Sequence, residues 1–503
     1  MAVLVVCFLV TALLANTDLM EGRHALFMDE RISFDESFQI ASASNLKSIL
    51  RAFFEGDQRY GRSFFYLTGF FSWLPYRLFG EPGLIIAGRM FQALLLLGAY
   101  LLFIFSFIYQ PLLRLLAFVS LVSLPFTPYF ATMPKPEPLQ LMLLAVFFFI
   151  WKQKNEIRPW TFLLVGFAFG TKISLAIGVF VLGAVALISW RPKGTLDKLL
   201  PAGLWFCLGW VLAVPILLQG RFTEYLGATF LNTSHGADNK MVGSWQWLQL
   251  INKEYLPIAP ASGLLIFYFA FSVFSKLKRS KSEVSSELGL ALMSLALSLP
   301  IIFKVQRLWG FYLHNGFVLF LVGVFAFISE DWFAKKNRHW NYLVLVLMLW
   351  LAVIQVPRRA FEFRVLAERT QTEDHRKRAQ EYGEVISYLK ALGHERKRLT
   401  VYYDPGLYIP SSNEHWLINP VWGYFQDWSQ GADIVVASSN CVPFKGLDLD
   451  PANVSYGSLQ RARELYQKHL SQNGSCILKP CYEIAKKVGE DVIIFSRQEK
   501  SGF

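Results

Sequence analysis

The chain has 503 residues, of which 54% are hydrophobic and 16% aromatic, but only 17% are charged. Soluble proteins carry about a quarter charged residues, so this composition excludes an ordinary soluble protein. The formal net charge of +12 could indicate nucleic-acid binding, but in an apolar chain basic residues in cytoplasmic loops explain it more simply. We therefore expect a polytopic α-helical membrane protein with no nucleic-acid partner.

The apolar residues collect in blocks long enough to cross a bilayer, which takes about 20 residues as a helix. Hydropathy predicts about eleven transmembrane helices. The block 160–190 is too long for one helix, and we divide it at Lys172 and the two residues before it. The N-terminal block lacks the basic start of a signal peptide, so we expect it to be retained as the first span. The predicted spans are 2–19, 83–108, 111–131, 137–151, 160–171, 174–190, 201–218, 261–275, 286–303, 310–329 and 340–356.

The short loops between these spans differ in basic residues, with 14 lysines and arginines in one alternate set and 4 in the other. The basic-rich side is expected to be cytoplasmic. This orientation leaves the N-terminus inside and places the loop 20–82, the loop 219–260 and the tail 357–503 outside. The basic-rich set is Arg114, Lys152, Lys154, Arg158, Arg191, Lys193, Lys198, Lys276, Lys278, Arg279, Lys281, Lys335, Lys336 and Arg338, and the other set is Lys135, Lys172, Lys304 and Arg307.

The first outer loop carries two acidic pairs and an aromatic segment. Residues 27–40 read FMDERISFDESFQI, which contains Asp29-Glu30 and Asp35-Glu36. We expect Asp35 and Glu36 to lie at the start of a helix, on the solvent side of the loop. The segment 64–80, FFYLTGFFSWLPYRLFG, is too aromatic for a solvated loop, and we predict a helix lying in the membrane interface. The alternative is a twelfth span. The loop 20–82 is expected to be part of the transmembrane domain, residues 1–356.

The tail 357–503 is polar and is predicted to form a small extracytoplasmic α/β domain. A helical pattern at 375–393 is followed by strand-like runs at 399–403, 433–437 and 491–495, with a further helix at 458–470. Cys476 and Cys481 could form a disulfide in an oxidising compartment such as the periplasm or the lumen. The sequons at Asn232, Asn453 and Asn473 also fall on the predicted outer side.

Carboxylates on an outer loop can act as a general base or hold a metal ion. Cations predicted on the same side would suit a phosphate leaving group, since charges at this depth are costly unless they pair or bind something. These cations include Arg59 and Arg62 of the first loop and Lys172. The alternatives without a catalytic role are that the carboxylates form an ordinary solvated cluster and that the lysines extend to the lipid headgroups. Whether a divalent metal is required or no cofactor at all stays open.

Several segments, and the order in which they follow one another along the chain, resemble those of a known protein family. They are MDERI (28–32), GDQRYGRSFFYLTGFFSWLPYRLFGEPGLIIAGRM (56–90), ATMPKPEPLQLMLLAVF (131–147), GFAFGTKISLAIGV (166–179) and the turn from Arg307 through Tyr312 to His314. Over roughly residues 1–330 the chain resembles the GT-C superfamily of membrane glycosyltransferases, in the branch of the dolichyl-phosphate-mannose protein mannosyltransferases and the bacterial aminoarabinose transferases. The chain departs from that pattern at Arg62-Ser63, where the family has a proline pair.

The resemblance implies a glycosyltransferase that moves a sugar from a polyprenyl-phosphate-linked donor to a lipid, glycan or protein acceptor on the extracytoplasmic face. It implies Asp29 as the general base, with Glu30 as its partner or a metal contact. Lys172 and Arg307 would bind the donor phosphate, and we assign Arg59 and Arg62 to the same site. Glu137 would orient the acceptor or pair with Lys135 or Lys172.

The second outer loop adds candidate sugar ligands from the residues themselves. Asn232, His235 and Asp238 in FLNTSHGADNKMVGSW (230–245) could bind sugar hydroxyls, or they could simply form turns. GFAFG (166–170) is expected to be a helix-packing pattern instead of a nucleotide loop. The alternative to a transferase is a multi-span lipid or solute transporter or flippase, and a third hypothesis is an assembly protein that works through its outer tail. Transporters tend to show internal repeats, and the sequence shows none.

Overall fold

The structure is a computed structural model. It describes residues 1–17, 28–54, 62–190, 195–223, 225, 244–256, 259–279, 284–304, 310–333, 338–368, 373–395, 401–403, 433–438, 482–489 and 492–497.

The first outer loop folds into short helices between two long apolar ones. Helix α1 (Ala2–Thr17) precedes the loop and α6 (Glu81–Phe107) follows it. The loop helices are α2 (Met28–Ala41), α3 (Leu46–Phe54), α4 (Arg62–Phe71) and α5 (Trp73–Phe79). The predicted interfacial segment 64–80 is therefore helical but divided at Ser72, and many of its large apolar side chains are exposed, namely Phe70, Phe71, Trp73, Leu74, Leu78 and Phe79.

Each predicted span coincides with a helix or a broken pair of helices. The remaining helices are α7 (Pro111–Val122), α8 (Thr127–Thr132), α9 (Pro136–Lys154), α10 (Phe162–Thr171), α11 (Ala176–Trp190), α12 (Thr195–Ala213), α13 (Ser244–Leu250), α14 (Ala259–Arg279), α15 (Ser286–Lys304), α16 (His314–Phe333) and α17 (Arg338–Glu368). Short 3₁₀ segments occupy Pro159–Thr161, Ile173–Leu175, Pro215–Gln219 and Gly310–Leu313, and Ile251–Tyr255 is a π-helix.

Within the described residues, four segments are long and apolar enough to cross a membrane: Pro82–Phe107, Ile173–Trp190, His314–Trp332 and His339–Arg364. Shorter apolar helices cover Ala2–Asn16, Pro111–Val122, Pro159–Thr171 and Ser286–Ile302. The protein is therefore an integral membrane protein, as its composition predicts, while the full number of spans stays a prediction. Many large apolar side chains on these helices face outward, for example Phe105 and Phe180, which suits a lipid environment.

The division of the block 160–190 is confirmed. Helix α10 ends at Thr171, and Lys172 adopts an extended backbone conformation (φ −157°, ψ 122°) before the chain turns into α11. The predicted span 111–131 is also divided, because Phe126 has a left-handed conformation (φ 65°) between α7 and α8. Breaks of this kind free backbone groups that neighbouring helices must satisfy inside a membrane.

Glycines bring α10 and α12 into close contact, as the helix-packing interpretation of GFAFG predicts. A Cβ on Gly166 would overlap the carbonyl oxygen of Phe206, and one on Gly170 would lie 2.6 Å from the Cβ of Ala213. On the facing helix, a Cβ on Gly209 would overlap the carbonyl oxygen of Leu163. Small residues allow such approach between helices. This contact fixes the position of the α10 terminus, where Lys172 lies.

One end of the bundle gathers the loops that are predicted to be cytoplasmic. Lys152 at the end of α9 pairs with Glu287 at the start of α15, and Lys276 near the end of α14 pairs with Glu330 near the end of α16. Lys198 Nζ and Glu156 Oε1 lie 2.6 Å apart on the same side. These pairs bring described ends of α9, α14, α15 and α16 together, while the alternation of the loops and the end that faces the cytoplasm stay predictions from the loop charges. We call the opposite end the outer end.

The described C-terminal residues form an α/β arrangement. Helix α18 (Glu373–Glu395) precedes β1 (Val401–Tyr403), β2 (Ile434–Ser438), β3 (Tyr482–Val488) and β4 (Val492–Arg497). The sheet order is β1-β2-β4-β3, with β1 and β2 parallel and the other pairs antiparallel. The prediction missed β3, and its helix 458–470, like Cys476 and Cys481, lies outside the described residues.

Helix α18 joins this sheet to the membrane part. Val385 and Leu389 of the helix pack into the core of the sheet with residues such as Val436 and Ile494. Ile386 packs against that core and also against a cluster that contains Phe34 of α2. The predicted boundary at 356–357 falls inside α17, which runs on to Glu368.

Candidate active site at the outer end of the bundle

A lysine and a glutamate form an ion pair at the outer end. Nζ of Lys172 contacts Oε1 of Glu137, and the two side chains are only 14% and 6% exposed. Glu137 lies in the first turn of α9, while Lys172 follows the last residue of α10. Nζ also lies 5.1 Å from the ring centroid of Tyr312. This pairing is one of the roles that the sequence predicts for Glu137, and the contact confirms it.

Amide side chains tie three helices together beside this pair. Nε2 of Gln140 donates to the carbonyl oxygens of Lys172 at 2.9 Å and of Ala168 at 3.2 Å. The carbonyl oxygen of Ala168 also accepts from the backbone N–H of Lys172, and that of Lys172 from the N–H of Leu175, both at 3.3 Å. Nδ2 of Asn315, in the first turn of α16, donates to the carbonyl oxygen of Glu137 at 3.2 Å. The starts of α9 and α16 and the end of α10 therefore meet around Lys172.

The first loop packs directly on this meeting point. Oγ of Ser33 in α2 donates to the carbonyl oxygen of Pro134 at 3.2 Å, three residues before Glu137. Oγ of Ser63 in α4 and Oγ1 of Thr171 lie 3.0 Å apart, one residue before Lys172. Ser33, Ser63 and Thr171 are all buried. The helix that carries the acidic pairs thus contacts the connection before α9, and α4 contacts the end of α10.

Arg62 is almost completely buried, and protein groups bind two of its nitrogens. Its Nη1 contacts Oε2 of Glu36, and Nη2 contacts the carbonyl oxygen of Ala52. Arg62 is 1% exposed and the Glu36 side chain 12%. The guanidinium carbon also lies 5.5 Å from the ring centroid of Phe65. These contacts hold α2, α3 and α4 together, and the role of Arg62 in donor binding stays a prediction.

The expectation that Glu36 lies on the solvent side of the loop is wrong. That expectation treated the second acidic pair as the start of a hydrated helix. In the structure α2 begins earlier, at Met28, so Glu36 falls in its interior and faces α4. The positive charge of Arg62 compensates for the burial of the Glu36 carboxylate. The sequence pattern alone does not show that these two residues pair.

Asp29 and Glu30 form part of the first turn of α2, and their side chains are outside the part of the chain that the structure describes. Helical spacing nevertheless places the backbone of Asp29 on the face of Ser33 and Glu36, which follow it by four and seven residues. The face of Asp35 includes Gln39, which is exposed. Positions 29 and 35 therefore lie on different faces of α2.

The remaining predicted site residues lie outside the described residues, and their predicted roles are untested. They are Arg59, Arg307, Asn232, His235 and Asp238. His314, from the same turn as Arg307, is described and buried. Its Nε2 lies 3.0 Å from Oη of Tyr100, and its Nδ1 lies 2.8 Å from the carbonyl oxygen of Pro125. It fixes the start of α16 against α6 and the connection between α7 and α8.

Sequence reasoning missed Gln140 and Asn315. Both are polar residues inside apolar helical segments, and such residues usually face the interior of a membrane bundle and are functional. That signal was present in QLMLL and HNGFV. As for a metal, the described residues bring no three histidine, cysteine, aspartate or glutamate side chains together.

Comparison with protein-family models and with curated proteins gives no match to this sequence. Comparison with solved structures shows similarity to ArnT, an aminoarabinose transferase with the GT-C fold. The crystal structure of ArnT from Cupriavidus metallidurans bound to undecaprenyl phosphate matches with a TM-score of 0.57 and 13% identity, covering 99% of this chain and 98% of that one. The apo structure of the same protein gives a TM-score of 0.55 and 14% identity, covering 98% and 97%. The chain therefore shares the fold of ArnT over nearly its whole length, and the GT-C resemblance is confirmed for the fold.

Proposed function

We propose that the protein is a membrane glycosyltransferase that takes its sugar from a polyprenyl-phosphate-linked donor. The observation that carries this proposal is the buried Lys172–Glu137 pair where α9, α10 and α16 meet, in a fold shared with a protein that binds undecaprenyl phosphate. A buried charge pair is a costly way to hold helices together. It is well suited to a site whose lysine must remain charged for a phosphate ligand.

The electrostatics of the site favour an anion near Lys172. Helices α9 and α16 have 19 and 20 residues, and their N-termini both lie beside the ion pair. Helix N-termini attract anions through their free N–H groups and their dipoles. A donor phosphate would compete with Glu137 for the ammonium of Lys172, and neutralising the leaving group lowers the barrier to its departure. Arg307 and Arg59 are the further phosphate contacts that we propose.

Asp29, with Glu30 as its partner, is our proposed base. An acceptor oxygen would attack the anomeric carbon of the donor sugar, and the bond from that carbon to the phosphate oxygen would break. The phosphate would leave with the polyprenyl chain, and the acceptor proton would pass to Asp29. The packing of Ser33 against Pro134 supports this assignment, because Asp29 lies one helical turn before Ser33. The sugar ligands Asn232, His235 and Asp238 remain part of the proposal.

The reaction is proposed to occur on the extracytoplasmic face, in the periplasm or the lumen. The loop charges support this orientation, since they make the end with Lys152 and Lys276 cytoplasmic. Helices α4 and α5, with their exposed aromatic and aliphatic side chains, would then lie in the lipid–water interface on the extracytoplasmic side of the membrane. The C-terminal α/β part would face the same compartment. The acceptor would reach the site from that side.

The proposal is tested with the purified full chain in phospholipid liposomes. Undecaprenyl phosphate carrying radiolabelled glucose, mannose, arabinose or aminoarabinose is offered with membrane lipids and proteins as acceptors. We expect release of free undecaprenyl phosphate and transfer of label to a new product from one donor at least. Movement of donor across the bilayer without release of undecaprenyl phosphate would overturn the proposal in favour of a flippase. If undecaprenyl phosphate is not released and the donor does not cross the bilayer, the proposal is overturned as well.

A further inference from the structure

The side-chain amide of Asn315 has a fixed orientation. Its Nδ2 donates to the carbonyl oxygen of Glu137 at 3.2 Å and makes a longer contact of 3.5 Å to Oε1 of Gln140. Gln140 is itself oriented, because its Nε2 donates to the carbonyl oxygens of Lys172 and Ala168. Both partners of Asn315 are hydrogen-bond acceptors, so the nitrogen must face them and Oδ1 must face away.

Two oxygen atoms at this point lack a hydrogen-bond donor. Oδ1 of Asn315 and Oε2 of Glu137 are buried, and neither has a hydrogen-bond partner among the described residues. The two residues are each about 5% exposed. Buried polar atoms are nearly always hydrogen-bonded, and an unpaired one destabilises the folded protein. A ligand that brings hydrogen-bond donors would remove this cost.

From this geometry we propose that Asn315 and the second oxygen of Glu137 bind hydroxyl groups of the donor sugar. The inference rests on the proposed function and specifies its substrate site. Both atoms accept hydrogen bonds only, so neither is a ligand for the phosphate itself, and both would stay unsatisfied against a lipid chain. Hydroxyl groups supply the missing donors.

The position of the pair assigns it to the sugar of the donor and not to the acceptor. The other oxygen of Glu137 contacts Lys172, the proposed phosphate ligand. In a polyprenyl-phosphate sugar the phosphate is bonded directly to the anomeric carbon. A sugar ring whose phosphate lies at Lys172 therefore has its hydroxyl groups near Glu137 and Asn315. Lys172 would hold the leaving group while this pair orients the ring beside it.

The test compares the affinities of two kinds of lipid for the full chain in nanodiscs without acceptor. One is bare undecaprenyl phosphate, and the other is undecaprenyl phosphate carrying glucose, mannose or arabinose. For wild type, at least one sugar should raise the affinity about tenfold or more above that of the bare lipid. One or two buried hydrogen bonds to the sugar would account for a gain of this size. In Asn315→Leu this gain should disappear while the affinity for the bare lipid stays within about threefold of wild type.

A second measurement does not depend on the folding of a variant. For wild type, donors in which one sugar hydroxyl is replaced by hydrogen should lose at least about tenfold in affinity at one ring position. Asn315→Ala, used if Asn315→Leu does not bind the bare lipid, should be insensitive to that replacement. Retention of the full sugar-dependent gain in the variants would overturn the inference, as would a wild type that binds all sugars no better than the bare lipid. A wild type that binds no undecaprenyl phosphate would overturn the proposed function itself.

Discussion

Asp29 and Asp35 provide a matched pair of positions in one helix. Both are aspartates of α2, six residues apart, so their backbones lie on different faces. Asp29 shares its face with Ser33, which contacts the connection before α9, whereas Asp35 shares its face with the exposed Gln39. If Asp29 is the base, a change at this position and the same change at Asp35 should have very different consequences.

Asp29→Asn should therefore lower sugar transfer by at least about a hundredfold, because general-base assistance is typically worth about 10²–10⁴-fold. The amide keeps the size of the carboxylate but cannot take up a proton at neutral pH. Donor binding should survive, and Asp35→Asn should retain most of the transfer rate at equal abundance in the membrane. Transfer rates and donor affinities of the two purified variants decide the matter. A silent Asp29→Asn with an inactive Asp35→Asn would place the base elsewhere in the loop.

The Arg62–Glu36 pair carries a prediction about stability. Glu36→Gln leaves the guanidinium of Arg62 buried with a neutral partner, and breaking a buried pair typically costs about 3–5 kcal/mol. Thermal unfolding in detergent should show a Tm several degrees below that of wild type. Glu254→Gln is the control, because Nζ of Lys253 and Oε1 of Glu254 are 3.9 Å apart and the lysine is 69% exposed, so this pair should contribute little. Equal Tm values for the two variants would show that the buried pair does not hold the loop helices.

At the scale of helices, the contact between α10 and α12 offers a sharp comparison. Gly209 and Gly203 lie in the same helix, but a Cβ on Gly209 would overlap the carbonyl oxygen of Leu163, whereas nothing lies within 4 Å of one on Gly203. Gly209→Ala should destabilise the protein by about 1–3 kcal/mol through overpacking. Gly203→Ala should be neutral or stabilise it by up to about 1 kcal/mol, since alanine favours helices. A Gly209→Ala variant as stable as wild type would contradict this packing.

The sequence predicts the helices better than it predicts where they break or what lies beneath the loops. Long apolar runs and the glycines before Lys172 are local signals, so the spans and the end of α10 could be predicted. The division at Ser72 and the left-handed Phe126 depend on tertiary packing. Strand β3 was missed because YEIAKKV alternates weakly and carries charges at positions that a strand prediction needs apolar. Glu36 was misplaced because its buried partner, Arg62, is distant in sequence.

The candidate site was predictable in part for a related reason. Its charged members stand out in an apolar chain, since intramembrane charges are rare, and Lys172 and Glu137 could therefore be selected from the sequence. Lys172 was also one of two partners predicted for Glu137, whereas the contact of the neutral amide Asn315 with Glu137 joins residues 178 positions apart in the chain. Residue type alone does not reveal which amide lacks a partner.

At the scale of the whole molecule, the orientation in the membrane can be measured. Cysteines introduced at Ser282 and Gly243, in a background without the native cysteines, should label from opposite sides of sealed membranes. Ser282 belongs to a basic loop that is predicted to be cytoplasmic, and Gly243 to the outer loop 219–260. Only Gly243→Cys should react with an impermeant reagent in intact cells. Labelling of Ser282→Cys from outside would invert the topology and place the proposed site in the cytoplasm.

Lys172 is the proposed ligand of the donor phosphate, and a comparison of two lysines makes the test of this assignment specific. Lys172 and Lys152 both pair with a largely buried glutamate, but they lie at opposite ends of α9 and its neighbours. Replacement by methionine removes the charge at either end at a similar cost in stability. Glu137→Gln removes the competing carboxylate and leaves Lys172 free for a phosphate.

The decisive measurement is the affinity of bare undecaprenyl phosphate for the purified variants in nanodiscs. Lys172→Met should weaken binding by about ten- to a hundredfold, because a charge-assisted hydrogen bond is worth about 1.5–3 kcal/mol. Lys152→Met should bind like wild type, and Glu137→Gln should bind at least as tightly as wild type. Wild-type affinity in Lys172→Met, or an equal loss in Lys152→Met, would contradict the assignment of the donor phosphate to Lys172.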